Sequence, residues 1–115
     1  MSIKDWRVRI EDMIEALERI KTYVAGMTRE AFIADTKTTD AVVRNLEIIG
    51  ESANHLRANV TQRYPAIPWS HMAEMRHILV HEYHAVDPEI VWRTIHHDLP
   101  LLLPALTQVL HENPD

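Results

Sequence analysis

Apolar residues recur every three or four positions along most of this chain and nowhere alternate for long, which predicts helices and no convincing strand. Trp6, Ile10, Met13, Leu17, Ile20 and Val24 form one stripe, with Ser2 or Asp5 able to cap its start and Gly26 placed to stop it. The segment from Met27 to Thr39 is mixed and predicts only a short helical turn around Ala31 and Phe32. Asp40 is then placed to cap a second long helix, whose stripe is Val42, Leu46, Ile49, Ala53, Leu56 and Val60. Tyr64-Pro65-Ala66-Ile67-Pro68 reads as a connector, because two prolines so close together cannot both sit inside a regular helix. A third helix is expected from Trp69 or Ser70. Asp87-Pro88 opens a fourth, with aspartate at the cap and proline in the first turn. Trp92, Ile95, Leu99, Leu102, Leu106 and Val109 keep the spacing across Pro100, which predicts a kink there rather than an end. The expectation is an all-α, up-and-down bundle of four main helices.

A chain of 115 residues is one small domain, spanning 1–115. A core of that size covers about two thirds of the unfolded surface, so an exposed apolar helix face calls for another subunit and a homodimer or higher oligomer is expected. With no cysteine there is neither a disulfide framework nor a thiolate metal site. The amino terminus lacks a long apolar run, and the cluster from Leu99 to Leu106 is broken by Pro100 and Pro104, well short of the roughly 20 residues of a membrane helix. A cytoplasmic protein with no membrane contact is expected.

The formal net charge of −5 argues against a broad, nonspecific nucleic-acid footprint, which draws its affinity from many cationic contacts with phosphates. Nine arginines against three lysines nevertheless leave room for a small, local phosphate site. Glycine-rich phosphate loops, a G-x-S-x-G nucleophile elbow and an aspartate-rich metal motif are all missing from the sequence, so a kinase, hydrolase or self-contained nucleotidyltransferase is poorly supported.

Chemistry concentrates in Arg76-His77-Ile78-Leu79-Val80-His81-Glu82-Tyr83. Arginine offers a planar fork of donors to a phosphate, histidine exchanges a proton near neutral pH, and a phenol can accept a transferred group. At about 100° per residue Arg76 and Tyr83 share a helical stripe while His81 lies well off it. Three arrangements bring them together: the helix ends or distorts before Tyr83, the long arginine bends across, or residues of two subunits meet. The plainer readings are a structural bridge from Arg76 to Glu47 or Glu51 and amphipathic side chains at a bundle edge. His77 and His81, with His96-His97-Asp98, suggest zinc or nickel, but His81-Glu82-Tyr83-His84 misses the metalloprotease spacing by one residue. No metal and no cofactor is expected. Trp6, Trp69 and Trp92 lie within or beside apolar stripes and read as core or interface rather than base-stacking platforms.

The motif Arg-x4-His-x-Tyr, met by Arg76, His81 and Tyr83, resembles that of HEPN-superfamily, HepT-like ribonuclease toxins. The likeness extends through Val42 to Glu51, Ile67-Pro68-Trp69, Val86-Asp87, Ile90-Val91-Trp92 and Asp98-Leu99-Pro100. That resemblance implies a dimeric helix bundle whose paired motifs face one another in a shared cleft. It implies metal-independent RNA cleavage, with the ribose 2′-hydroxyl attacking the adjacent phosphate, His81 as general acid or base and Arg76 stabilising the phosphorane-like charge. Where HepT-like sequences often carry asparagine after the arginine, this chain has His77, which is given an orienting role. Asn45 and Glu51, in the matching stretch with Arg44 and Glu47, are secondary candidates to orient the catalytic pair. The resemblance further implies a minimal, MntA-type nucleotidyltransferase antitoxin that adenylylates Tyr83 and so silences the toxin. The alternative is a non-catalytic helical binding partner of a nucleotidyltransferase.

Overall fold

The computed structural model describes residues 5–81 and 86–113, with side chains over 6–75 and 86–113. The elements are α1 (Asp5–Val24), α2 (Arg29–Ala34), α3 (Thr36–Asn54), α4 (Ala58–Thr61), α5 (Trp69–His81), α6 (Pro88–Arg93), a π-helical turn (Thr94–Asp98) and α7 (Leu102–Glu112). Among the described residues there is no strand. The predicted all-α architecture holds.

α3 lies at the centre, with α1 packed along one side and α5 along another, while α7 closes against α1 and the short α2 packs on α6. The α1 stripe behaves as its spacing requires. Ile10, Met13, Leu17 and Ile20 are buried, joining Val42, Leu46 and Ile49 of α3 and Met72 of α5 in one core. Gly26 ends the helix with φ 75, a left-handed conformation that costs a residue with a Cβ roughly 1–2 kcal/mol.

α3 begins five residues earlier than the Asp40 cap predicted. Asp35 is the cap: its carboxylate accepts from the Thr38 backbone N–H at 3.0 Å and from the Thr38 hydroxyl at 2.7 Å. These bonds, the hydroxyl's first, hold the carboxyl below its ordinary range. A lowered pKa gives stability that is present above the unfolded value and lost as pH falls through the folded one. In urea titrations, Asp35→Asn is therefore expected to be less stable than wild type at neutral pH, the two curves converging below about pH 4. A gap that persists into acid would show that the charge plays no part in the cap.

α3 also stops sooner than its stripe suggested. After Asn54 the chain turns, with His55 and Leu56 N–H groups reaching Ser52 and Ala53 carbonyls at 3.2 Å. Val60 is buried from the separate α4, and Leu56 is half-buried between the two. The connector places Trp69 at the start of α5, where its indole N–H donates to the Tyr64 carbonyl at 3.0 Å.

Asp87 caps α6 as expected, accepting from the Glu89 N–H at 2.9 Å. The predicted kink at Pro100 is instead a break. The Leu99 N–H reaches five residues back to the Thr94 carbonyl at 3.2 Å, and the Leu102 N–H makes a tighter turn to Leu99 at 2.9 Å before α7 begins. The reason lies in two prolines four apart. Pro104 cannot donate to residue 100 and its ring crowds that carbonyl, so it fits only in a first helical turn, where its missing N–H costs nothing. The corner leaves Leu101 80% exposed.

Candidate functional site

α5 is an unbroken α-helix through His81, so Arg76, His77 and His81 all stand on one regular backbone. This excludes a distortion between Arg76 and His81 as the means of bringing them together. Arg76 follows Met72 by four residues, in register with the stripe whose described members, Met72 and Met75, are buried. Position 81 is five residues on from 76, roughly 140° around the helix. The side chains of Arg76, His77 and His81, and the whole of Tyr83, lie outside the described residues, as does the suggested bridge from Arg76 to Glu47 or Glu51.

The secondary candidates on α3 separate. Asn45 is 4% exposed; its amide donates to the Ala41 carbonyl at 2.9 Å, while its side-chain oxygen is buried with no hydrogen-bond partner among the described residues. A buried acceptor left unmet costs about 1–3 kcal/mol, so an acceptor at this place in the core beside α5 calls for a donor. Glu51 lines a different place: a concavity between α1 and α3, of about 450 Å³, shared with Arg9, Asp12, Arg44 and Glu47. The His55 ring, one turn on along the chain, donates through Nδ1 to the Glu51 carbonyl at 2.8 Å. Asn45 and Glu51 therefore do not meet in one pocket.

The His96-His97-Asp98 run does not converge as a ligand set. His96 Nδ1 is bonded to the Trp92 carbonyl at 2.9 Å, and Asp98 faces His71 at 3.4 Å. Among the described residues no group of three His, Cys, Asp or Glu side chains is arranged to hold a metal. The tryptophans follow their stripes: Trp69 is buried, Trp6 is half-buried beside the Arg7 guanidinium at 5.7 Å, and Trp92 lies between Phe32 and His96, with ring centroids at 5.3 and 3.9 Å. One cluster escaped the sequence reading, a concavity where Arg29 of α2 meets Arg93, His96 and His97. Its partners stand some sixty residues apart in sequence, and only His96 and His97 carried a local signal.

Residues 13–109 match the family of HepT-like ribonucleases. The chain belongs to that family. The HepT-like match covers α1 from its middle, all of α5 and most of α7. Relatives agree: the chain is 41% identical over 93 residues to a protein of Thermococcus cleftensis named as probable ribonuclease HepT, covering 81% of this chain and 84% of that one. A protein of Caldanaerobacter subterraneus subsp. tengcongensis, named provisionally as an RNase, is 34% identical over 110 residues, covering 96% and 98%. Another so named, from Methanocaldococcus jannaschii, is 32% identical over 112 residues, covering 97% and 93%. No solved structure matches the chain.

Proposed function

We propose that this HepT-like protein is a metal-independent endoribonuclease, the toxin of a toxin–antitoxin pair. What carries the reading is a family assignment spanning the bundle together with a continuous α5 that presents Arg76, His77 and His81. In the proposed reaction the ribose 2′-hydroxyl gives up its proton and attacks the neighbouring phosphorus. The bond from phosphorus to the 5′-oxygen breaks, and that oxygen takes a proton. The products are a 2′,3′-cyclic phosphate and a free 5′-hydroxyl. His81 moves the proton and Arg76 holds the extra negative charge on the phosphoryl oxygens.

Because Arg76 and His81 sit roughly 140° apart on one helix, a cleft shared by two copies is the simplest way to aim both at one phosphate. Leu101 at 80% exposure, with Ile90 and Val8 about half exposed, supplies apolar surface of the kind a second copy covers. His77 orients the phosphate or His81. Asn45, whose spare acceptor lies in the α3 core beside α5, supports the helix that bears the pair; Glu51, from its separate concavity, acts at longer range. RNA is the substrate, and a nucleotidyltransferase antitoxin is the partner.

Adenylylation of Tyr83 silences the site on this account, since each AMP brings bulk and negative charge beside a phosphate-binding arginine. Tyr83→Phe is expected to remain an active nuclease and to resist silencing by the partner enzyme with ATP, read by RNA cleavage and intact-protein mass. A Tyr83→Phe protein that still gains AMP and loses activity would move the modification elsewhere. Wild type free of AMP is expected to cut RNA in excess chelator; cutting that needs an added metal would contradict the proposed chemistry.

A further inference from the structure

The concavities bounded by described residues differ in charge. The groove between α1 and the start of α7 is mainly apolar, with Lys21 and His96 its polar wall residues. The α1–α3 concavity sets Arg9 and Arg44 against Asp12, Glu47 and Glu51, and so carries a net negative wall. The third, of about 300 Å³, sets Arg29, Arg93, His96 and His97 against the single carboxylate of Glu89.

Its construction is specific. Arg93, His96 and His97 stand at i, i+3 and i+4, one helical face carried into the π turn that starts at Thr94. Glu89 is engaged by Arg29 across the α2–α6 contact, which fixes Arg29 at the rim. Arg93 is exposed and has no carboxylate partner among the described residues. The His96 ring packs against Trp92 at 3.9 Å, and its Nδ1 donates to the Trp92 carbonyl, which holds the ring in place as part of the wall. Trp92 is itself backed by the buried Phe32. The wall is thus an open surface around the uncommitted guanidinium of Arg93, with Arg29 and His97 beside it, the chemistry of an oxyanion site.

We propose that this concavity binds a phosphodiester of the RNA strand away from the scissile bond, a second anchor for the substrate; the inference rests on the ribonuclease reading above. A chain of net charge −5 exerts no general pull on RNA, so the strand must be held at a few local cationic points. Arg93 supplies the fork, and His97 and Arg29 flank it.

The test uses a fluorescent single-stranded oligonucleotide of about ten residues, 2′-O-methylated so that it cannot be cleaved, with binding read by anisotropy across a salt series. Arg93→Ala with His97→Ala is expected to weaken binding about tenfold, and to lower the slope of log affinity against log salt by about 0.7 for each phosphate no longer neutralised. Arg93→Lys should recover part of the affinity, and Arg57→Ala, which removes an exposed cation beyond the far end of α3, should change nothing. In cleavage of unmodified RNA the same double variant should raise KM and leave kcat near wild type. Matching melting temperatures establish that these exposed substitutions leave the fold intact. Unchanged affinity and slope in the double variant would overturn the subsite, as would weakened ATP or orthophosphate binding with RNA affinity untouched, which would mark a free-nucleotide site. If the variants fail to bind while wild type never cuts RNA, the subsite stands and the nuclease reading fails.

Discussion

His81→Ala is expected to lower RNA cleavage by roughly 10²- to 10⁴-fold, the range that a positioned general acid or base supplies. The direction follows from the proton balance. The attacking 2′-hydroxyl must lose a proton and the departing 5′-oxygen must gain one, and in the Arg-x4-His-x-Tyr motif His81 is the invoked carrier. The decrease should fall on kcat more than KM, because the imidazole acts on the reacting atoms rather than on the strand. Arg76→Ala should cost a comparable factor, since a cation aimed at developing phosphoryl charge is worth most in the transition state. The two effects should not add fully when combined, because each group works only when the other is in place. A double variant that still cut at wild-type rate would reject the site altogether.

Phe32→Ala is expected to destabilise the fold by about 3–5 kcal/mol, the usual cost of emptying a buried aromatic position. Phe32 is fully buried although it sits on a helix of only six residues. It joins α2 to the Trp92 ring of α6, with ring centroids 5.3 Å apart. The Arg29–Glu89 pair and the Thr39 hydroxyl, which donates to the Phe32 carbonyl at 3.3 Å, add polar ties to α6 and α3, but this ring is the one fully buried side chain of α2. Removing the ring should lower the midpoint of urea unfolding sharply and also free Arg29 from the rim it shares with Glu89. A destabilisation below about 1 kcal/mol would mean that the α2–α6 contact collapses around the gap.

The long elements were legible because their stripes are strict. α1 and the start of α5 lie where spacing and prolines put them, and Asp87 caps α6 for the reason its neighbour Pro88 gives. Misplaced boundaries had local causes. Asp35 and Asp40 are equal candidates to cap a helix by residue type; the Thr38 hydroxyl decides for Asp35, and that bond exists only in the folded turn. The break at Pro100 depends on Pro104 as well, a pair effect that a single-proline rule misses. For the candidate site, the family motif showed which residues to name, and helix spacing showed that one regular helix does not converge Arg76 with His81. The burial of the Asn45 side-chain oxygen, without a partner among the described residues, could not be read from sequence, since asparagine in a helix more often faces water. Nor could the Arg29–Arg93 concavity, which comes from packing α2 on α6.

The proposed chemistry is tested most directly by the ends left on RNA cut by AMP-free wild type in chelator, run beside His81→Ala. Wild type should leave 2′,3′-cyclic phosphate and 5′-hydroxyl ends, and the variant should cut almost nothing. Fragments bearing 5′-phosphates, or equal cutting by His81→Ala, would contradict transfer to the 2′-hydroxyl with His81 as the proton carrier.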